Sequence, residues 1–542
     1  MYLKKSLYIL LIAILSIAYQ GFLFGQERYI LPRLDSELKY DGICDDPGWA
    51  KIEPLPLIMM TPSYGNEPSE KTEIRIAYDD DYLYMGAKCF DSHPEKMKIQ
   101  LKRDDWKYEC DWIMLILDTF NDKENTVLFG TSPSGGRTDV AFSNDANSLS
   151  YDMNTSWNTY WDVKASVDNA GWQVEMRIPF SSLRFQDKDG ETVMGLSVSR
   201  YISSKNEGIC MPNVEEKYGF WGANKATQAI EIVIKDIKSK KPLYLTPYLL
   251  GGLEQENILS DDETKYDHSN YKTWNAGLDV KYRLTDNLTI DATINQDFAQ
   301  VEADNQIVNL TRFSLFFPEK RMFFQERRSN FDFKFDKSNR LFYSRNIGLY
   351  NGNPVGIYGG GRLVGRIGDV DVGFLSMQSA PMGEESLLSE NFTVLRLRKQ
   401  VINTNSYVGG MATNRMDFNG SYNTAYGLDC IFRLFGDDYL KVMWAQTFDD
   451  ASSNDALSLD PARIYVNWER RTSKGIAYNF DYSRAGSDYN PGIGYERRTN
   501  YSLYSGTLSY GWIYSDSWIN NHQLSLSGYQ YSENVNNTRE TA

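Results

Sequence analysis

From residue 274 to residue 295 apolar and polar side chains alternate with a period of two. Trp274, Ala276, Leu278, Val280 and Tyr282 interleave with Asn275, Gly277, Asp279 and Lys281; after a break at 284–287, Leu288, Ile290, Ala292 and Ile294 interleave with Thr289, Asp291, Thr293 and Asn295. A strand points successive side chains to opposite faces, so this pattern predicts two strands with one apolar and one polar face. The short break predicts a hairpin between them. No run of about 18 apolar residues follows the first 25, so a membrane-crossing helix is not expected, and only strands could span a bilayer.

Period-two segments recur near 243–252, 272–283, 287–297, 356–366, 369–379, 391–401, 404–414, 422–434, 438–449, 461–471, 474–485, 500–512 and 518–530, thirteen in all. Their connections alternate in length. Short ones fall at 368–370, 436–438 and 472–474, and long polar ones at 255–271, 381–391, 449–461 and 485–500. Outer-membrane barrels have short periplasmic turns and long outside loops. The expectation is an antiparallel outer-membrane β-barrel over 236–542, with the preceding domain in the periplasm. A soluble all-β protein would share the two-faced strands but not the regular alternation of connections. Bacterial barrels close with an even number of strands. Thirteen is odd and 534–542 reads as a polar tail, so a missed strand or an incomplete chain is expected.

Residues 1–25 read as an export signal: Lys4 and Lys5 precede an apolar run from Leu7 to Ala18. The formal charge of −15 lacks the field that draws phosphates, so nucleic acid is not an expected partner; outer-membrane lipid is. Aromatic residues make up 14% of the chain, a bias that suits interfacial girdles and sugar-binding surfaces alike.

Residues 26–235 read as short strands separated by turns, with no long helical periodicity, and predict a β-sandwich. Trp106, Trp157, Tyr160 and Trp161 are the candidate ligand-binding rings, the last three because such close spacing exceeds what one short core strand needs. Packing is the competing role. Asp45, Asp46, Asp79, Asp80 and Asp81 are the candidate metal ligands, since calcium needs several hard oxygens in one region; capping of turns is the alternative. No cofactor is certain, and structural calcium is the one considered. Five cysteines without knot-like spacing are expected as buried free thiols more than as disulfides. His93, His268 and His522 are isolated, so no histidine-based catalytic group is expected. A glycoside hydrolase, which needs only two carboxylates, is the minor enzymatic alternative.

Asp41-Gly-Ile-Cys-Asp-Asp-Pro-Gly-Trp49, Asp81-Tyr-Leu-Tyr84 and Trp172-x-x-Glu175-x-x-Ile178-Pro-Phe180 resemble the signatures of family 9 carbohydrate-binding modules. The resemblance implies a sandwich that binds sugar between aromatic side chains, with structural calcium nearby. Asp41, Trp49 and Trp172 belong to these motifs, and Trp49 and Trp172 read equally as core anchors.

From 298 to 350 the alternation breaks. Five phenylalanines between 313 and 324 mix with Arg312, Glu319, Lys320, Arg321, Glu326, Arg327 and Arg328. A free loop would not need so many rings, so the segment is expected to fold into the barrel lumen or across its mouth. Phe316-Phe-Pro-Glu-Lys-Arg321, Phe342-Tyr-Ser-Arg345, Arg103-Asp-Asp-Trp106 and Asp118-Thr-Phe-Asn-Asp122 resemble a Bacteroidota family of outer-membrane proteins designated DUF5916. That resemblance implies a carbohydrate-binding-like module joined to a C-terminal barrel, with Arg312, Glu319, Lys320, Arg321 and Arg345 as structural motif residues. The expected function is an outer-membrane barrel carrying a carbohydrate-binding domain, linked to glycan binding, uptake or catabolism. The alternative is a structural or assembly component with a periplasmic protein partner.

Overall fold

The structure is a computed structural model that describes residues 28–541 except 102–109, 149–151, 238–242, 261–263, 286, 297–307, 326, 351–352, 384–386, 451–454 and 515–518. The export signal, Trp106, most of the basic linker before Pro242 and the 297–304 motif lie outside the described residues.

Two sheets form the front half. Thr72–Tyr78, Tyr82–Phe90, Gly171–Pro179 and Asp162–Asp168 pair antiparallel in that spatial order. The larger sheet is centred on Glu191–Ile202, flanked by Trp112–Asp118 and Ile230–Lys235. Ile74, Met85, Val174 and Met176 of the small sheet share one core with Leu115, Leu196 and Ile232 of the large one. This is a β-sandwich. Trp112, Met114, Ile116 and Val140 form a second apolar layer on the far side of the large sheet. Strand Trp112–Asp118 is therefore buried on both faces, which is why it reads as an unbroken apolar run. All five cysteines are free thiols, and four of them are buried.

The 41–49 motif closes the outer face of the small sheet. Glu175 accepts hydrogen bonds from the backbone N–H of Asp41 (3.0 Å) and Gly42 (2.9 Å) and from Trp49 Nε1 (2.9 Å). The Trp49 indole lies flat on the sheet where Gly86 leaves room; a Cβ there would stand 2.7 Å from the ring. Asp41 caps its own turn through Ile43 N–H at 3.0 Å. Trp172 is a core residue on the inner face.

The C-terminal half is one antiparallel sheet of fourteen strands in sequence order. All thirteen period-two segments fall on strands. The founding hairpin sets Leu278 opposite Ile294 and Val280 opposite Ala292, with Lys281 opposite Asp291 on the other face. The fourteenth strand, Arg539–Thr541, lies in the expected polar tail; it is short and exposed, so no apolar alternation marks it. Among the described residues the first and last strands do not pair with each other, so the hydrogen-bonded sheet is not closed. The first two strands, Leu243–Leu259 and Tyr266–Thr285, run through what the sequence suggests is a long loop. Most of that extension is exposed whichever way its side chains point, so it needs no apolar stripe.

Burial along the sheet is inverted relative to a soluble protein. In strand Glu390–Gln400, Leu395 and Leu397 are 40% and 42% exposed, while Arg396 and Arg398 between and beside them are 2% and 8% exposed. Arg396 is held bidentately by Asp429 (2.5 and 2.8 Å), Arg362 by Asp291 (2.8 Å) and Arg463 by Glu496 (2.8 Å).

The charged face encloses the phenylalanine-rich part of segment 308–350, whose first residues, 308–312, are exposed. Phe323, Phe324, Phe331, Phe333 and Phe335 pack with Val364, Leu375, Val394, Met411, Ala425 and Met443 in one cluster. Those wall residues come from six consecutive strands, which a flat sheet would spread over about 24 Å. One cluster touching all six requires the sheet to curl around the segment. Gly427 admits the Phe333 ring, which would stand 2.7 Å from a Cβ. Within the segment Glu319 and Arg321 form a buried bidentate pair (2.7 and 2.9 Å). Arg321 also donates to the carbonyls of Ser344 (2.6 Å) and Ile347 (2.8 Å). Lys320 N–H donates to Glu319 Oε1 at 3.0 Å, and Arg345 donates to the carbonyl of Pro318 at 2.9 Å. These bonds tie the Phe316–Arg321 motif to the Phe342–Arg345 motif. Arg312 lies over the Phe313 ring, 5.1 Å from its centroid.

The sandwich seats on the end of the sheet that carries the short turns. Arg283 donates to the Leu183 carbonyl (3.1 Å), Gln400 to that of Asp122 (2.8 Å), and Lys217 pairs with Asp437 (2.6 Å). Lys474 pairs with Glu216 (2.6 Å), and Arg398 of the wall pairs with Glu124 of the sandwich (2.5 Å).

Replacing Glu175 with Gln puts an amide N–H₂ against a donor, leaving a buried group unsatisfied. The expected loss is about 1–3 kcal/mol of sandwich stability, measured by urea unfolding followed by tryptophan fluorescence. Glu124→Ala leaves the buried Arg398 guanidinium at the docking surface with Asp371 but without its shorter ion pair, at a cost of about 1–3 kcal/mol. Hydrogen exchange should then accelerate in the 118–125 loop while the wall strands keep their protection.

Candidate functional site

Three of the four candidate rings lie within the described residues, and the structure separates them. Trp161 is fully buried, 5.4 Å from Phe129 in an edge-on contact, so it is a core residue and not an exposed stacking platform. Strand pairing begins at the next residue, Asp162, and turns the indole inward. Trp157 is half-buried and packs edge-on against Phe129 at 5.9 Å. Tyr160 is 63% exposed, with its hydroxyl 3.4 Å from Asp162 Oδ2.

The five candidate metal aspartates do not assemble a cation site. Among the described residues no group of three His, Cys, Asp or Glu side chains is placed to hold a metal ion. Asp79 Oδ1 instead accepts from the backbone N–H of Asp81 (2.8 Å) and Tyr82 (2.7 Å), closing the hairpin turn. Asp80 pairs with Arg33, Asp45 is exposed, and Asp46 precedes the short helix Pro47–Ala50, whose Trp49 N–H bonds its carbonyl. Turn geometry thus accounts for the Asp79 carboxylate and an ion pair for that of Asp80.

Trp157 and Tyr160 line a cavity of about 710 Å³ at the seam between the sandwich, the enclosed segment and the wall. The sandwich also contributes Phe120, Arg137 and Asn154, the enclosed segment Gln325, Arg327, Arg328 and Lys334, and the wall Asp291, Arg362 and Arg398. Asn154 Nδ2 donates to Gln325 Oε1 at 2.8 Å, so the two domains meet at the cavity's edge. The size falls in the range of about 300–1,000 Å³ usual for small-molecule sites. Half-buried rings beside amides and guanidiniums can recognise a ligand with apolar ring faces and a hydroxylated or charged rim.

The cavity's charge departs from that of the chain. Eight Arg and Lys residues line it against six Asp, in a protein of formal charge −15. Several cations are neutralised: Arg362 by Asp291, Lys334 by Asp332, and Arg398 by Glu124 and Asp371. Others have no carboxylate within hydrogen-bond distance. Arg137 donates to the Trp161 carbonyl at 2.6 Å. Arg327 donates to the Asn287 carbonyl at 3.2 Å and lies 4.0 Å over the Phe120 ring; burial lowers its pKa to about 10. Its backbone is left-handed, with φ 47°. Arg328 makes no hydrogen bond or ion pair among the described residues. Arg327 and Arg328 stand in the sequence as two more charges among phenylalanines, and nothing local marks them as cavity residues.

Comparison with known proteins places both halves. Residues 40–211 match the family model described as carbohydrate family 9 binding domain-like, and residues 242–356 match the domain of unknown function DUF5916. No curated protein matches the chain. Among solved structures, a family 9 carbohydrate-binding module from Caldicellulosiruptor kristjanssonii, in complex with cellotriose, is 18% identical. It covers 39% of this chain and 95% of its own, with a TM-score of 0.27. OccK7 (OpdD) of Pseudomonas aeruginosa covers 79% of this chain and 85% of its own at 9% identity, with a TM-score of 0.25. OccAB3 of Acinetobacter baumannii covers 80% and 96% at 8% identity, also with a TM-score of 0.25. The chain thus joins an N-terminal family 9 carbohydrate-binding-like domain to a DUF5916 domain.

Proposed function

We propose that this is an outer-membrane protein whose curled sheet anchors a periplasmic carbohydrate-binding domain, with sugar held in the seam cavity. The inverted burial of strand Glu390–Gln400 carries this reading. Exposed leucines flanking buried arginines are unfavourable in water and favourable where the outer face meets lipid. Trp274, Ile294, Tyr358, Phe374, Leu428, Phe480, Leu508 and Leu526 extend the apolar outer face along the sheet. The sandwich contacts the short-turn end, and short turns of such barrels are periplasmic. The family 9 match supports carbohydrate as the ligand class. The packed interior favours retention of a glycan over its passage.

A second reading follows from the same filled interior: a structural component whose sandwich contacts other periplasmic material, with the sheet as its anchor. Binding separates the two. The full chain in detergent micelles, applied to a glycan array, should retain oligosaccharides, and Tyr160→Ala should weaken retention by about tenfold while leaving the fold intact, since base or sugar stacking on one ring contributes about 1–3 kcal/mol by analogy with other stacked ligands. Trp161→Ala removes a core ring instead and should cost about 3–5 kcal/mol of stability. A folded protein that retains no glycan leaves the structural reading standing alone. Independently, Leu397→Arg should lower folding into lipid vesicles by about 2–4 kcal/mol, measured by the shift in electrophoretic mobility between folded and heated samples. An unchanged yield would remove the lipid-facing assignment.

A further inference from the structure

The seam cavity carries more positive charge than a neutral sugar requires. Arg328 of the enclosed segment makes no hydrogen bond or short ion pair among the described residues; its carboxylate neighbour Asp332 acts through space. Arg327 beside it bonds a carbonyl and lies on an aromatic face, with Asp371 attracting it at longer range. Arg362, 3% exposed, uses Nε and Nη2 on Asp291, while its Nη1 is buried without an acceptor. Two guanidiniums without a hydrogen-bonded carboxylate, Arg327 and Arg328, therefore meet at one cavity with Arg362, which is already held by Asp291. A guanidinium presents a planar fork that matches an oxyanion, and such charge-assisted bonds are about twice as strong as neutral ones. Leaving them unmatched in a partly desolvated site is costly. The left-handed backbone of Arg327 points the same way, because a non-glycine residue persists there only when its surroundings hold it.

We propose that the cavity binds an acidic oligosaccharide, one bearing carboxylate or sulfate groups, with the pyranose faces against Trp157 and Tyr160 and the anion on Arg327 and Arg328. This rests on the carbohydrate reading above and narrows it. The formal charge of the whole chain is negative, so the attraction is local to the cavity and decays over about 8 Å at physiological salt.

The test is titration calorimetry of the full chain in detergent micelles with three trisaccharides: neutral cellotriose, trigalacturonate and a sulfated trisaccharide. At least one acidic ligand should bind about tenfold or more tightly than cellotriose, and the advantage should shrink as salt rises. Arg328→Gln, which breaks no hydrogen bond or short ion pair among the described residues, should erase most of that advantage, lowering affinity for the acidic ligand far more than for cellotriose. Which acidic ligand binds distinguishes carboxylate from sulfate. Equal affinity for neutral and acidic ligands would overturn the inference and leave the carbohydrate reading in place. An acidic preference insensitive to Arg328→Gln would also overturn it, since the anion would then sit elsewhere. If folded protein binds none of the three, both this inference and the reading beneath it fall.

Discussion

Charges inside the curled sheet have to be paired, and most of the structure's order follows from that. Arg362, Arg396 and Arg463 are buried on the inner face, each on a carboxylate: Asp291, Asp429 and Glu496. A buried ion pair adds little net stability, but losing one partner typically costs about 3–5 kcal/mol, because the other charge is stranded. The pairs therefore act as registers. Arg362–Asp291 fixes strand Leu288–Gln296 against Ile357–Ile367, and Arg396–Asp429 links Glu390–Gln400 to Tyr422–Phe435 across the strand between them. The same guanidiniums lie over plug rings, Arg396 over Phe333 at 5.2 Å and Arg463 over Phe335 at 4.7 Å, so one residue type holds both the wall and what it encloses.

How far the fold was legible depended on whether a residue's neighbours lay near it in sequence. Period two is local, and it located every long strand of the sheet. The same rule fails where both faces of a strand meet one environment. Trp112–Asp118 is apolar throughout because both faces are buried, and the tip of the Leu243–Leu259 hairpin is polar because it is exposed. Buried thiols also followed from spacing that offered no bridge.

The site was less legible, because its members converge from three parts of the chain. Trp157, Tyr160 and Trp161 are adjacent, yet one strand start sends Trp161 into the core and leaves Tyr160 outside. Composition could not reveal that difference. The aspartates were ambiguous for a related reason: a carboxylate at a turn position can bond the backbone N–H groups beside it, as Asp79 does, and only convergence in space makes a cation site. Arg327 and Arg328 gained meaning only when the wall was folded around them.

The seam also explains why the enclosed segment and the sandwich are best understood together. Phe120, in the sandwich loop that follows Trp112–Asp118, stacks on Arg327 of the enclosed segment, while Glu124 four residues later reaches Arg398 of the wall. Arg398 in turn shares Asp371 with Arg366, whose guanidinium lies 5.9 Å from the same Phe120 ring. One loop thus touches the plug, the wall and the cavity at once. A ligand that engages Arg327 must compete with or reinforce its contact with Phe120, so occupancy of the cavity is coupled to how firmly the sandwich is docked. A domain tethered only by a linker would have no such coupling; here the ion pairs of the docking surface provide it.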